Sequence, residues 1–339
     1  MASITTSRAA DGKPRYTVNY REPDNRQRRK TFRRKSDADA FCHTVEADKL
    51  RGTYLDVEAG RVTFRDYAAQ WLADRTFNLS TYEATEVRLR LHVLPVIGDL
   101  QLRQLKPSTM QALLRSMDRS DTYRRVIFVT VSSILSAAVD DELIAKNPCQ
   151  ARSVSRPVVA RRKIVPWSAE HVAAMHDHLP AQFQIAVTLG SGLGLRQGEI
   201  FGLSPADVDF LRRTVEVRRQ VKGFHGNQLV FAPPKANKTR TVPLPSSVAD
   251  ELNAHLQRFP ARHVALPWET PTSKTSERVP LILTSRERRA LNRNYFNSGP
   301  WKRAQAAAGI ADSRDNGMHA LRHWYASVLL DAGESIRAV

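Results

Sequence analysis

The sequence predicts a mainly α-helical protein with small β-sheets, an α+β chain in several parts. Three observations lead there. Long stretches place apolar residues at helical spacing, short alternating runs are confined to the first 35 residues and to residues 214–244, and 339 residues suffice for two or three separate cores. No apolar run approaches the roughly 18 residues of a membrane-spanning helix, and the start, MASITTSRAADGK, carries no signal-like stretch, so a cytoplasmic address and no membrane partner are expected. Cys42 and Cys149 have no neighbouring Cys/His pattern, which predicts neither a disulfide framework nor a zinc site.

The first part spans residues 1–58. KPRYTVNYRE (13–22) alternates through Tyr16, Val18 and Tyr20 as a half-buried strand does, Pro23, Asp24 and Asn25 turn the chain, and Gln27 to Lys35 reads as a second strand. Ser36 with Asp39 starts a helix that carries Phe41, Val45 and Leu50 at helical spacing, with Gly52 where it would stop.

Residues 61–148 read as all-helical. Thr63 with Asp66 opens a first helix that turns Tyr67, Trp71 and Leu72 inward; Ser80 or Thr81 opens a second reaching His92; Pro107 suits the first turn of a third. The longest, Asp121 to Leu143, has a core stripe of Val126, Ile127, Val131, Ile134, Leu135 and Val139, and Asn147-Pro148 closes the segment. Residues 149–166 have five basic residues, no acidic one and no period, the pattern of a linker.

From Trp167 to Val339 helices come first, around 168–178 and 181–190. Strands Thr214 to Gln220, Gln228 to Ala232 and Arg240 to Leu244 suggest a hairpin-built sheet. Helices return: Ser246 caps one ending at Phe259, Pro300 and Trp301 lead into another, and Leu321 to Ala332 stops at Gly333.

The formal charge of +18 points to a polyanionic partner. Windows 8–35, 151–165, 212–240 and 286–303 hold 30 basic and 5 acidic residues, whereas the rest of the chain is net acidic, so the excess is concentrated in discrete surfaces. Strand ribbons enter a duplex major groove, which makes Arg28, Arg29, Lys30, Arg33, Arg34 and Lys35 candidate DNA contacts; an edge strand charged against aggregation is the alternative. Arg161, Arg162 and Lys163 in the linker would track phosphates, unless the segment is a passive tether.

Three strings stand out: GSGLGLRQGEIFGL (190–203), APPKANKTRTVPLP (232–245) and HALRHWYASVLLDAG (319–333). Singly each is weak. In this order, with Arg196 and Glu199 opening a helix, Lys235 in a hairpin, and His319, Leu321, Arg322 and His323 opening a later helix, the chain resembles the tyrosine site-specific recombinases of the phage integrase type.

The resemblance implies an arm-type DNA-binding domain at 1–58, a helical core-binding domain at 61–148, the linker at 149–166 and a mixed α/β-hairpin catalytic domain at 167–339. It implies site-specific integration and excision of a mobile element through a 3′-phosphotyrosyl intermediate, without metal or nucleotide. The implied partners are duplex DNA with arm-type and core-type attachment sites, a homo-tetramer on paired sites, and an accessory DNA-bending or directionality factor. Arg196 and Arg322 suit the charge that builds on two non-bridging oxygens, Lys235 the proton needed by the leaving 5′ oxygen, His319 a phosphate hydrogen bond or proton transfer, and Glu199 a supporting role.

In that family a glycine-histidine or tryptophan box and the nucleophilic tyrosine follow HxLRH. The tyrosines here, at 16, 20, 54, 67, 82, 123, 295 and 325, do not match that place, so the 339-residue chain is expected to bind DNA without forming the covalent intermediate, as a truncated or decayed integrase. A non-catalytic DNA-binding regulator and an RNA-binding protein are the rival readings, although no RRM signature is visible.

Overall fold

The computed structural model describes residues 2–8, 12–21, 27–50, 59–159, 165–224, 228–270 and 272–335. The chain divides into two compact units, Met1–Arg161 and Arg162–Val339.

The first unit opens with an antiparallel sheet in the order β1 (Ser3–Arg8), β2 (Pro14–Arg21), β3 (Gln27–Phe32), followed by α1 (Lys35–Leu50). β1 was not predicted. With Ile4 as its one large apolar residue it has no alternation to read, and it is an edge strand held by pairing with β2 from Ser3↔Asn19 to Arg8↔Pro14. The register pairs Tyr16 with Phe32, Val18 with Lys30 and Tyr20 with Arg28. Phe41 of α1 packs on Tyr20 and Phe32, with ring centroids 5.6 and 5.2 Å apart, so all six of those strand residues lie on the helix side.

This corrects the single basic strand expected over Gln27 to Lys35, which ends at Phe32. Arg28 and Lys30 share the helix side, and the Lys30 ammonium sits 4.6 Å over the Phe41 ring. Arg29 points to the other face, among Thr5, Thr17, Asn19 and Thr31, where Thr17 and Thr31 hydroxyls are 3.0 Å apart and Asn19 Nδ2 donates to Thr5 at 3.2 Å. Arg33 and Arg34 form the bend into α1, and Lys35 is its first residue.

The helical core of this unit is built from α2 (Phe64–Asp74), α3 (Leu79–Arg88), α4 (Leu94–Ile97), α5 (Pro107–Ser116) and α6 (Asp121–Asp140). The Thr63 hydroxyl accepts from the Asp66 N–H at 3.1 Å and donates to its carboxylate at 2.7 Å, as the sequence pattern suggests. Asn78, not Ser80 or Thr81, caps α3, by accepting from the Thr81 N–H at 3.0 Å. α6 is long and apolar enough to cross a membrane, yet it buries Ile127, Phe128, Val131, Ile134, Leu135 and Ala138 in this core; Val126, expected inside, is exposed.

The expected linker begins later than its composition suggests. Cys149 and Val154 are buried with the helical core, Asn147 Nδ2 donates to the Ser132 carbonyl at 2.8 Å, and burial pushes the Cys149 thiol up to about 12. Residues 149–154 thus run along the helical core with Cys149 and Val154 anchored in it, while Arg161, Arg162 and Lys163 lie outside the described residues.

The second unit runs α7 (Ala169–His178), α8 (Ala181–Leu193), α9 (Gln197–Phe201), β4 (Val208–Asp209), β5 (Thr214–Val217), β6 (Gln220–Gly223), β7 (Leu229–Ala232), β8 (Arg240–Pro243), α10 (Ser246–Arg258), β9 (Arg262–Pro267), β10 (Ser276–Leu281), α11 (Arg293–Phe296), α12 (Lys302–Ala307) and α13 (His319–Asp331). Its sheets are β4-β5-β8, β6-β7 and β9-β10, all antiparallel.

The strand predicted over 214–220 is two strands in two sheets. Arg218 and Arg219 break it, because both bond the buried carboxylate of Asp207, at 2.6 and 2.5 Å. The helix expected after Trp301 begins earlier, at Arg293, and passes Pro300 through a π-turn over Asn297–Trp301. Leu189, Leu193, Phe201, Leu252, Phe296, Trp301 and Leu321 are among the residues that fill the core.

Candidate active site

Local chemistry at the end of α8 starts the site. Gly194 caps that helix with φ of 62°, a left-handed conformation that favours glycine, and two residues later Arg196 occupies the N-cap of α9. Glu199, three positions on, reaches back, so that its Oε2 accepts from the Arg196 backbone N–H at 2.9 Å. Its Oε1 accepts from Arg196 Nη1 at 3.0 Å.

The Glu199 side chain is only 1% exposed, and a second arginine reaches it. Arg240, at the start of β8, donates Nη1 to Oε1 at 3.0 Å and Nη2 to Oε2 at 2.7 Å, a two-pronged pair. Burial alone would raise the carboxyl's pKa; the hydrogen bonds and charge of Arg240 and Arg196 outweigh it and hold Glu199 below the usual carboxylate range.

α13 brings the next groups. A side chain at Gly190 would put its Cβ 2.8 Å from Leu321 Cδ1, so the glycine lets α8 and α13 meet closely. The adjacent Arg322 guanidinium donates to the Gly194 carbonyl. Burial first, then repulsion from Arg196 and Arg240, lowers the pKa of Arg322, which places the three guanidiniums in one electrostatic neighbourhood.

His319, one turn before Arg322, is exposed on a cavity of about 630 Å³ shared with Trp167, His171, Asn316 and His323. Its ring stands edge-on to His323 with centroids 4.6 Å apart. Its partial burial at the cavity wall, then the charges of His323, Arg322, Arg196 and Arg293, lowers its pKa below the ordinary histidine value.

Lys235 stands exposed on the short 3₁₀ turn Lys235–Asn237, beyond β7. Gln220 Nε2 holds the base of that turn through the Pro233 carbonyl at 2.5 Å, and β6 packs on α9 where a Cβ at Gly202 would lie 3.0 Å from Gln220 Cα. Lys235 thus rides on the loop whose far arm carries Arg240, and among the described residues no carboxylate pairs with it.

The profile of the "Phage integrase family" matches residues 169–339, half of the chain, and spans every one of these groups. The chain belongs to the phage integrase family. A second profile, "Phage integrase, N-terminal SAM-like domain", matches residues 63–117 of the helical core.

The integrase is 25% identical to a "Tyrosine recombinase XerC-like" protein of Caldanaerobacter subterraneus subsp. tengcongensis, over 98% of this chain and 90% of that one. It is 24% identical to an "Integrase" of Mycobacterium phage FRAT1, over 82% and 79%. In fold it is similar to the Tn1549 transposon integrase in complex with transposon right end DNA, with TM-score 0.68, 18% identity and coverage of 82% and 89%. It is also similar to a lambda integrase tetramer bound to a Holliday junction, with TM-score 0.62, 15% identity and coverage of 98% and 93%. It is an integrase of the tyrosine recombinase type, a class of DNA-breaking and rejoining enzyme.

The structure therefore brings together Arg196, Glu199, His319 and Arg322, and places Lys235 on an adjoining exposed turn. Sequence reading missed Arg240, Arg293 and Gly194. Arg240 stands in the quoted RTVPLP string, where a basic residue opening a strand gave no hint of its partner 41 residues earlier. Among the described residues no group of three or more His, Cys, Asp or Glu is placed to hold a metal ion.

Proposed function

We propose that this integrase binds attachment-site DNA for the integration and excision of a mobile element, and that Arg196 and Arg322 clamp the phosphate at which strands are exchanged. The observation that carries this reading is an imbalance: one carboxylate is bonded by two guanidiniums, Arg240 taking both of its oxygens, while a third guanidinium in the same electrostatic neighbourhood, Arg322, is held by a neutral carbonyl. Such a site keeps positive charge for an anion.

In the step it suits, a tyrosine Oη gives up its proton to water and bonds to phosphorus, the bond from phosphorus to O5′ breaks, and Lys235 gives a proton to O5′, with Arg196 and Arg322 on the non-bridging oxygens and His319 donating to one of them. The resulting phosphotyrosyl ester retains the energy of the broken linkage for the reverse step.

We assign the nucleophile to none of the eight tyrosines. The Tyr67 hydroxyl bonds the Asp141 carboxylate, the Tyr325 ring lies against Gly194, and Tyr16 and Tyr20 face α1. The 339-residue chain by itself then binds DNA without forming an adduct. Residues 1–58 are assigned to arm-type sites, with Arg29 as the base-facing cation, residues 61–154 to core-type sites and 167–339 to catalysis. Assembly as a tetramer on paired sites, help from an accessory DNA-bending factor, and a cytoplasmic location complete the proposal.

The test begins with a duplex selected from a randomised library by the 339-residue chain. That duplex, nicked near its centre, should yield no covalent adduct; an adduct would return the nucleophile to one of the eight tyrosines. Hydrogen peroxide, with a chelator present to suppress radical damage, should supply the missing nucleophile and cut at one phosphate, and Arg322→Ala should abolish the cut while weakening binding only modestly. Unaltered binding with no peroxide-dependent cut would favour a non-catalytic regulator, and preference for structured RNA would overturn the DNA reading.

A further inference from the structure

Each oxygen of Glu199 accepts two hydrogen bonds: Oε1 from Arg196 Nη1 and Arg240 Nη1, Oε2 from the Arg196 N–H and Arg240 Nη2. A carboxylate has roughly four acceptor positions, so this one is saturated. Arg196 spends a single side-chain N–H on it, and among the described residues the remaining donors of that guanidinium meet no acceptor. Without Arg240, nothing would prevent Arg196 from swinging into a two-pronged pair with the same carboxylate three residues away, the geometry such pairs prefer.

We infer that Arg240 is a positioning residue that occupies Glu199 so that Arg196 keeps its donors turned toward phosphate. The inference rests on the reading of the site as a phosphate clamp. Arg240 itself does not touch the DNA in this scheme. Its planar fork matters more than its charge, since only a fork covers both carboxylate oxygens at once.

The experiment measures binding of the full 339-residue chain to the selected duplex, with phosphates replaced one at a time by uncharged methylphosphonates. The phosphate whose replacement ceases to matter in Arg322→Ala marks the clamp. In the unaltered chain, neutralising that phosphate should weaken binding by about tenfold, the scale of one charge-assisted contact. In Arg240→Gln and in Arg240→Lys the penalty at that phosphate should fall below about threefold, with penalties elsewhere unchanged.

Full retention of the tenfold penalty in Arg240→Gln would overturn the inference, and retention in Arg240→Lys alone would overturn the requirement for the fork, because charge would then suffice. If no phosphate couples to Arg322, the clamp reading itself fails, which is a separate and recognisable result. Thermal unfolding checks that the variants fold. A second measurement needs no variant: side-chain Nε–H signals of Arg196 and Arg322 should shift on addition of the duplex while that of Arg240 stays in place. Movement of Arg240 together with Arg196 would make it a phosphate contact and overturn the positioning role.

Discussion

The guanidinium of Arg322 donates to the backbone carbonyl of Gly194, 128 residues earlier in the chain. A carbonyl orients a guanidinium without cancelling its charge, so this contact aims Arg322 and leaves it able to bind an anion. It also makes the backbone path at the end of α8 part of the site.

Gly194→Ala should therefore act at a distance from its own side chain. The residue has φ of 62°, and an added Cβ would run into the Tyr325 ring. The expected cost is about 2 to 4 kcal/mol from backbone strain and overpacking together. Urea denaturation measures it, and DNA binding should weaken as Arg322 loses its anchor. A variant as stable as the parent would show that α8 and α13 can separate without consequence.

Asp207 anchors the break between β5 and β6. Its carboxylate is buried and bonds both Arg218 and Arg219, and the Arg219 side chain is only 9% exposed. Asp207→Asn would leave the Arg219 charge buried without its counterion, so a loss of about 3 kcal/mol is expected, read as a lowered urea midpoint. The double variant Asp207→Asn with Arg219→Met should recover part of it, because the orphaned charge is then gone.

Stability should also respond to pH at α7. His176 Nε2 lies 2.9 Å from Glu251 Oε1, and its Nδ1 lies 3.1 Å from Asp177. Burial alone would lower the imidazole's pKa, but the hydrogen bonds and charges of Asp177 and Glu251 outweigh it and raise the pKa above the ordinary histidine value. A raised folded-state pKa means a contribution fully present below the unfolded-state value and lost as pH rises through the folded-state one. The difference in stability between the parent and His176→Gln should therefore be largest in mild acid and shrink on the alkaline side. A constant difference across that window would contradict the ion pair.

The two faces of the N-terminal sheet predict opposite behaviour for neighbouring residues. Arg29→Ala, on the face with Thr5, Thr17, Asn19 and Thr31, should weaken binding of the selected duplex; a phosphate contact would reduce the salt slope by about one, a base contact would relax sequence preference instead. Lys30→Ala, which removes the ammonium above Phe41, should leave the slope unchanged and cost about 0.5 to 1 kcal/mol of stability. Salt titration of both variants distinguishes the faces.

Much of this protein was legible before its coordinates. The Thr63 cap, the proline at the start of α5, the apolar stripe of α6 and the glycine stop after α13 depend on residues within a few positions of one another, and local chemistry decides them. Two of the three strings at the candidate site read correctly as helix starts, but the hairpin expected at Lys235 is not formed: β7 pairs with β6 and β8 with β5, so the Lys235 turn links two sheets. The missed strand β1 and the false single strand over 214–220 share one cause. Ile4 gave too little alternation to see, and the alternation of 214–220 continued through Arg218 and Arg219, whose partner Asp207 lies outside any local window.

By itself the sequence determined the helix-rich composition of the chain, the concentration of positive charge and the family strings that bring Arg196, Glu199 and Arg322 to notice, because these follow from residue type and short spacing. Tertiary structure alone decided which arginine of many meets the buried Glu199, that Gly194 offers its carbonyl to Arg322, and which face of β3 each cation takes. Those outcomes depend on where distant segments pack, and a carboxylate with two oxygens binds whichever guanidinium the fold delivers to it.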